Sequence, residues 1–241
     1  MKFLICPSAE HAAEQAAALI AEAVAARLGL VLGLATGETM RPVYAALARD
    51  HRSNGTCWQG VTVFNLDDYV GVPAAHPASF HRFMRETLFD HIDIAPGRCY
   101  MPNGLADDLA WGARDYEARI AAAGGIDLQL LGIGSNGHIA FNEPGSDFAG
   151  RTGAVALAPT TRAAARAAFD REDEVPLRGL TMGIGTILEA RRILLVATGA
   201  GKARAIADAF GGSADPACPA SALQAHPDAT VLLDSAAAAA L

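Results

Sequence analysis

Short continuous apolar runs recur along the chain, and most are followed by a turn of small residues and then by apolar positions at helical spacing. The runs fall at Lys2 to Cys6, Leu30 to Ala35, Val61 to Leu66, Ile126 to Ile133, Ile193 to Thr198 and Thr230 to Leu233. Runs of this length, apolar on both faces, are expected of buried strands in a parallel sheet. Between them, helical periodicity is predicted over Ala9 to Leu28, with Ser8 as the N-cap and Gly29 as the stop. Arg41 to Asp50 reads as a second helix, with Pro42 tolerated in its first turn. Three more helices are predicted over Ala78 to His91, Leu105 to Ala123 and Thr181 to Ala190, and a fourth over Ala203 to Phe210. Trp111 and Tyr116 are expected as core or half-buried anchors, and Ala236 to Leu241 as a helix-prone tail. From Ser146 to Val175 the periodicity weakens, so residues 146–175 are expected to form a lid or satellite helix. Strands alternating with helices predict an α/β fold: a mainly parallel sheet flanked by helices, one domain over residues 1–241.

Composition narrows the class without changing that outline. A chain of 241 residues that is 51% apolar and 19% charged can bury a sizeable core and does not read as disordered. A net charge of -7 argues against nucleic-acid or anionic-membrane partners, and an anionic substrate would need a locally basic pocket. Only Lys2 and Lys202 are lysines, which draws attention to the second. Cys6, Cys57, Cys99 and Cys218 are scattered without metal-ligand spacing, so reduced thiols are expected and a structural zinc site is not. The amino terminus fails as a signal peptide and no apolar run approaches the ~20 residues of a membrane span, so a cytoplasmic protein is expected.

Candidate chemistry gathers where apolar runs end. The segment from Ile126 to Thr152 passes from a buried run into Gly132, Gly134 and Gly137, with Asn136, His138 and Glu143 as its functional side chains. Glycines there let the backbone turn sharply beside a ligand, and ligands of open α/β sheets sit beyond the carboxyl ends of strands. A lone histidine in such a turn is more often structural; a histidine with an acid five residues on, which could fix its tautomer, is less easily dismissed. Thr36-Gly37-Glu38-Thr39 precedes a helix, a geometry that suits a phosphate because free amides and the helix dipole converge. Asp67 and Asp68 end another run, and adjacent residues there cannot both face the crevice. Gly199-Ala200-Gly201-Lys202 supplies a cation. His76, His81 and His91 read as surface residues. Neither GAGKA at Gly199 nor GIGSNG at Gly132 completes a nucleotide-binding motif. Together the turns suit a small phosphorylated substrate undergoing proton transfer, with His138 near neutrality and Asp67 as a carboxylate base.

Longer motifs carry a resemblance that spans the whole chain. LATGETM at Leu34 to Met40, FNLDDYVGVPAAHPASF at Phe64 to Phe80 and LLGIGSNGHIAFNEPGSDFAGRT at Leu130 to Thr152 resemble the glucosamine-6-phosphate deaminase (glucosamine-6-phosphate isomerase) family. LTMGIGTILEARRILLVATGAGKARAI at Leu180 to Ile206 and PASALQAHPDATVLLD at Pro219 to Asp234 continue it in the same order. The resemblance implies a Rossmann-like fold and a metal-free, cofactor-free conversion of an amino sugar phosphate: glucosamine 6-phosphate and water to fructose 6-phosphate and ammonia. It implies a hydrolase acting on that substrate, working as a monomer or small homo-oligomer. Asp67 would shuttle a proton between C2 and C1, and His138 would open the pyranose ring, with Asn136 and Glu143 completing its relay. Gly37, Glu38 and Thr39 would line the phosphate loop and Lys202 would contact the phosphate.

Three departures qualify the match. Many members carry Asp at the position of Asn136, and the shorter bacterial members carry Asn, so the chain resembles that subgroup and His138 would lean on Glu143 alone for charge. Gly153 and Val155 stand where allosteric members have basic residues, which implies no activation by N-acetylglucosamine 6-phosphate. In Thr161-Arg162-Ala163-Ala164-Ala165-Arg166 the family's Asn is absent and Arg166 is displaced by one position, ~100° on a helix, so Arg166 would reach the phosphate only if the local helix shifts. Galactosamine-6-phosphate deamination is the nearest alternative. 6-Phosphogluconolactone hydrolysis and a catalytically silent sugar-phosphate sensor are more distant ones.

Overall fold

A computed structural model describes all 241 residues. The chain begins with strand β1 (Lys2–Cys6), helix α1 (Ala9–Ala26), β2 (Val31–Leu34), α2 (Met40–Asn54) and β3 (Thr62–Asn65). Ser8 caps α1 by accepting a hydrogen bond from the His11 amide, and Gly29 takes φ +74° just beyond its end. After β4 (Asp67–Tyr69) come α3 (Phe80–Thr87), β5 (Cys99–Tyr100), α4 (Leu109–Ala122) and β6 (Leu128–Leu131). Then follow β7 (Gly153–Ala156), α5 (Pro159–Ala165), β8 (Arg178–Thr181), α6 (Ile184–Leu188), β9 (Ile193–Ala197), α7 (Ala203–Phe210) and β10 (Ala229–Asp234).

Seven strands form one sheet in the order β1-β10-β9-β6-β2-β3-β5, every pair parallel. The central strands β2, β6 and β9 are buried along their whole length, as apolar runs without alternation require. From β2 the chain proceeds outward through β3 and β5, then returns to β6 and proceeds the other way through β9 and β10. The order therefore reverses between β2 and β6, and such a reversal opens a crevice at the carboxyl ends of the two strands. The main core is continuous from Ala12 to Ala237 and includes Trp58, Tyr44 and Phe64. This is the expected Rossmann-like α/β domain.

A second sheet lay outside the sequence expectation. Strands β4, β8 and β7 pair antiparallel, with Asp67 opposite Thr181 and Val155 opposite Gly179. Asp67 to Tyr69 is therefore not the tail of β3. At Leu66 the chain leaves the large sheet: its amide donates to the Leu34 carbonyl, and its own carbonyl accepts from Met182, the residue just after β8. Thr181, expected to start a helix, ends β8 instead, and only Ile184–Leu188 is helical. Trp111, expected as an anchor, is 58% exposed, whereas Tyr116 is buried and donates to the Asn65 carbonyl. Leu105 to Asp108 lie outside the helix because Asp108 is its N-cap, accepting from the Ala110 and Trp111 amides. The helix-prone tail forms turns rather than a helix. A satellite core of Tyr69, Val72, Phe141, Leu157, Phe169 and Val175 packs the second sheet against the segment that carries α5.

Candidate active site

The crevice at the β2–β6 reversal holds a cleft of about 600 Å³. Its walls come from the turns after β2, β6 and β9, from strand β4, from the start of α3 and from α5. From β2 come Thr36, Gly37, Glu38 and Thr39. Gly37 has φ +111°, open to glycine and disfavoured for other residues, and this bend turns the chain into α2. The amides of Gly37, Glu38 and Thr39 donate to no backbone carbonyl, and α2 has no side-chain cap. Amides without protein acceptors at the positive end of a 15-residue helix have the geometry to receive an anion. Arg41 also lines the cleft, where it pairs with Glu38 at 2.8 Å and lies over the Phe83 ring.

Asp67 lines the same cleft while Asp68 points the other way, accepting from the Tyr69 and Phe80 amides. Burial pushes the Asp67 carboxyl up to about 8, the neighbouring Asp68 charge adds to the rise, and no hydrogen bond offsets it. Asp68 itself rises only to about 6, because two backbone donors favour its charged form.

Beyond β6, Asn136 and His138 face the cleft, and Glu143 lies just behind them. The His138 Nδ1 is 2.7 Å from the Asn136 Oδ1, an acceptor only, so Nδ1 carries the proton and the neutral ring has Nε2 as its free acceptor. Asn136 donates from Nδ2 to the Glu143 Oε2 at 3.0 Å, and Glu143 is 3.6 Å from the His138 Nδ1. Burial lowers the His138 pKa; Glu143 raises it and Lys202 lowers it further. The loop is held rigidly. Asn142 donates to the Ile139 and Met182 carbonyls, Phe141 donates to the Thr181 hydroxyl, and Ala140 is left at φ +51°, where a non-glycine residue is strained. Gly137 cannot carry a side chain, because a Cβ would meet the Cys218 Sγ at 2.4 Å.

Lys202 enters the cleft from the turn after β9, and burial lowers its pKa. That turn is held by Asp234 at the end of β10, whose two carboxylate oxygens each accept from the Gly199 amide at 3.0 Å. Asp234 is a residue that sequence reasoning missed; its signal was a lone acid at the end of a final short strand. Segment 146–175 supplies Thr160, Thr161, Ala164, Ala165 and Ala168 to the opposite wall. The structure does not bring Arg166 to the cleft: its guanidinium donates to the Phe169 and Asp170 carbonyls of its own segment. Thr161, which sequence reasoning did not assign a role, donates its hydroxyl to Glu143.

A parallel α/β domain with a buried carboxyl, a histidine relay and a lysine converging on strand ends defines an acid–base enzyme for a small anionic ligand. The chain belongs to the family described as glucosamine-6-phosphate isomerases/6-phosphogluconolactonase, which matches residues 7–232. It is 48% identical over 238 residues to a glucosamine-6-phosphate deaminase of Bacillus velezensis, covering 99% of both chains. Glucosamine-6-phosphate deaminase 1 of Bacillus subtilis is 44% identical, covering 99% of this chain and 98% of that one. The solved structure of a monomeric glucosamine-6-phosphate deaminase superposes with a TM-score of 0.97 at 44% identity, covering all of both chains. A 6-phosphogluconolactonase from Trypanosoma brucei superposes at 0.78 with 22% identity, which shows the shared fold.

Proposed function

We propose that this protein converts glucosamine 6-phosphate and water to fructose 6-phosphate and ammonia, through aldose–ketose isomerisation followed by loss of the amine. Full-length likeness to glucosamine-6-phosphate deaminases supports the substrate. The observation that carries the chemistry is Asp67: a buried carboxyl, raised to about 8, in the wall of a cleft that also holds a histidine relay. The family's description as isomerases suits the central step, and the hydrolytic character we assign is confined to the C–N bond.

The phosphate is held by the amides of Gly37, Glu38 and Thr39 with Lys202; Arg166 has no part in the conformation described here. Neutral His138 accepts the anomeric hydroxyl proton at Nε2 and delivers it to the ring oxygen as the C1–O5 bond breaks and the pyranose ring opens. The transient positive charge on the imidazole is met by the Glu143 carboxylate, 3.6 Å from Nδ1, while Asn136 bridges the two as a neutral amide. Asp67, ionised beside the cationic amine of the substrate, then takes the proton from C2 and returns it to C1, while the carbonyl oxygen at C1 gains the proton that the nitrogen gives up. This leaves an imine at C2, to which water adds and from which ammonia departs. The raised pKa fits this cycle, because a base near neutrality both accepts and returns the proton. Segment 146–175 acts as the lid over the cleft, and we assign the working unit as a monomer, as in the 44% identical relative. No helix is long and apolar enough to cross a membrane.

Ammonia release from glucosamine 6-phosphate and from galactosamine 6-phosphate, measured side by side with the ketose product, tests the reading. Release from the first is the expected result. Release from the second alone moves the assignment to the C4 epimer, and silence on both overturns it.

A further inference from the structure

We infer that Thr161 is a positioning residue that ties the docked position of segment 146–175 to the catalytic relay, by completing the hydrogen-bonding of Glu143. The inference rests on the reaction proposed above. Glu143 has two carboxylate oxygens, and the structure occupies both. Oε2 accepts from Asn136 at 3.0 Å and lies 3.6 Å from the His138 Nδ1; Oε1 accepts from the Thr161 hydroxyl. Asn136 in turn accepts from both the His138 amide and its Nδ1. The chain of contacts therefore runs from the imidazole through Asn136 to Glu143 and ends on α5, in a segment tied to the body by β7–β8 pairing and the satellite core.

Neutral Asn136 makes this terminus matter. An amide cannot share the imidazolium charge, so the orientation of Glu143 alone decides how that charge is met. A carboxylate pinned at one oxygen only can swing about its side-chain torsions. Pinned at both, it holds the Asn136 amide in the one orientation that keeps His138 protonated at Nδ1 and free at Nε2. The Thr161 dipole also draws carboxylate charge away from the imidazole. The charged groups that act on His138 are Glu143 on its own loop and Lys202 from the turn after β9, and Thr161 adjusts the first without altering the second. Thr161 lies in the cleft wall, so the relay is complete when α5 is seated there, over the sugar.

The test is a double-substitution cycle with a binding control. Thr161→Val keeps shape and removes the donor; Thr161→Ser keeps the donor. We expect Thr161→Val to lower kcat about tenfold with KM within about twofold, and Thr161→Ser to restore at least half of the rate. Affinity for the open-chain amino alditol phosphate, the reduced substrate that needs no ring opening, should stay within about twofold in both. In a Glu143→Gln background, Thr161→Val should cost less than about twofold further, because both changes break one unit. Three outcomes overturn the inference: Thr161→Val at wild-type kcat, a serine variant as slow as the valine one, or full additivity with Glu143→Gln. Loss of alditol phosphate binding in Thr161→Val would also overturn it, by showing that the residue holds the lid or ligand rather than the relay. A wild-type protein that releases no ammonia overturns the proposed function instead, so the two failures are distinct.

Discussion

Two neighbouring carboxyls, both raised by burial but differently partnered, dominate the residue scale. Asp67 has burial and a like charge against its ionised form, and Asp68 has two amides in favour of its own. Free enzyme must ionise Asp67 before it can act as a base, so kcat/KM should rise with pH through an acid limb near 8. Asp68→Asn keeps an acceptor for the Tyr69 and Phe80 amides but removes the charge, and the limb should move to lower pH in a rate profile. Asp67→Asn should lower kcat about 10²–10⁴-fold while leaving alditol phosphate binding within a few-fold, because a base is lost and no phosphate contact. The same substitution should stabilise the fold. Asp67 keeps its proton up to about pH 8 when folded, whereas an unfolded aspartate releases it near pH ~4. Stability therefore falls as pH rises between the two. Thermal unfolding of Asp67→Asn should show that slope flattened and, at pH 8 and above, a gain of about 1–2 kcal/mol.

Among the elements, β4 determines where Asp67, the proposed base, stands. Its three residues belong to the small antiparallel sheet, and the chain reaches it by crossing from the large sheet at Leu66. Gly104 supports it from behind: a Cβ there would lie 2.2 Å from the Tyr69 carbonyl oxygen, a backbone atom that cannot swing aside. Gly104→Ala should therefore push on the strand that carries Asp67, destabilising by about 1–3 kcal/mol and lowering kcat together. Calorimetry and steady-state rates on one preparation check both. Sequence could not show β4 as a separate element. Asp-Asp-Tyr continues an apolar run without a break, its partner β8 lies about a hundred residues away, and β8 and the β7 beyond it are four-residue stretches without strong strand patterning. The long runs needed no such partner information. The strand at Lys2–Cys6 and the helix at Ala203–Phe210 have the bounds that periodicity predicted.

At the scale of the whole molecule, a chain of net charge -7 that binds a sugar phosphate as proposed must gather basic groups at the cleft, where Lys202 and Arg41 stand. Lys202 lines the cleft beside three unspent amides, and neither lid arginine lines it. Inorganic phosphate at ten times its Kd should add ~1.4 kcal/mol of stability by mass action, about 3 °C in Tm for a chain of this size. Lys202→Met should abolish most of that shift without lowering the Tm of the free protein, since Lys202 makes no ion pair to lose; thermal shift with and without phosphate measures it.

Sequence by itself determined the class of fold, the order of the strand-end turns and the set of side chains available for chemistry. Those depend on local signals: unbroken apolar runs, glycines where the backbone must bend, a Ser or Asp at a helix start. Only the tertiary structure decided which of them meet. It turned Asp68 away from the cleft and Asp67 into it, and it set Asp234 beneath the lysine turn. It also folded Arg166 back on its own carbonyls and brought Thr161 to Glu143 across 18 residues. The Asp234 and Thr161 contacts are choices among partners distant in sequence, and even the local bonds of Arg166 and Asp68 depend on which way the folded backbone aims the side chain, which no periodicity along the chain records.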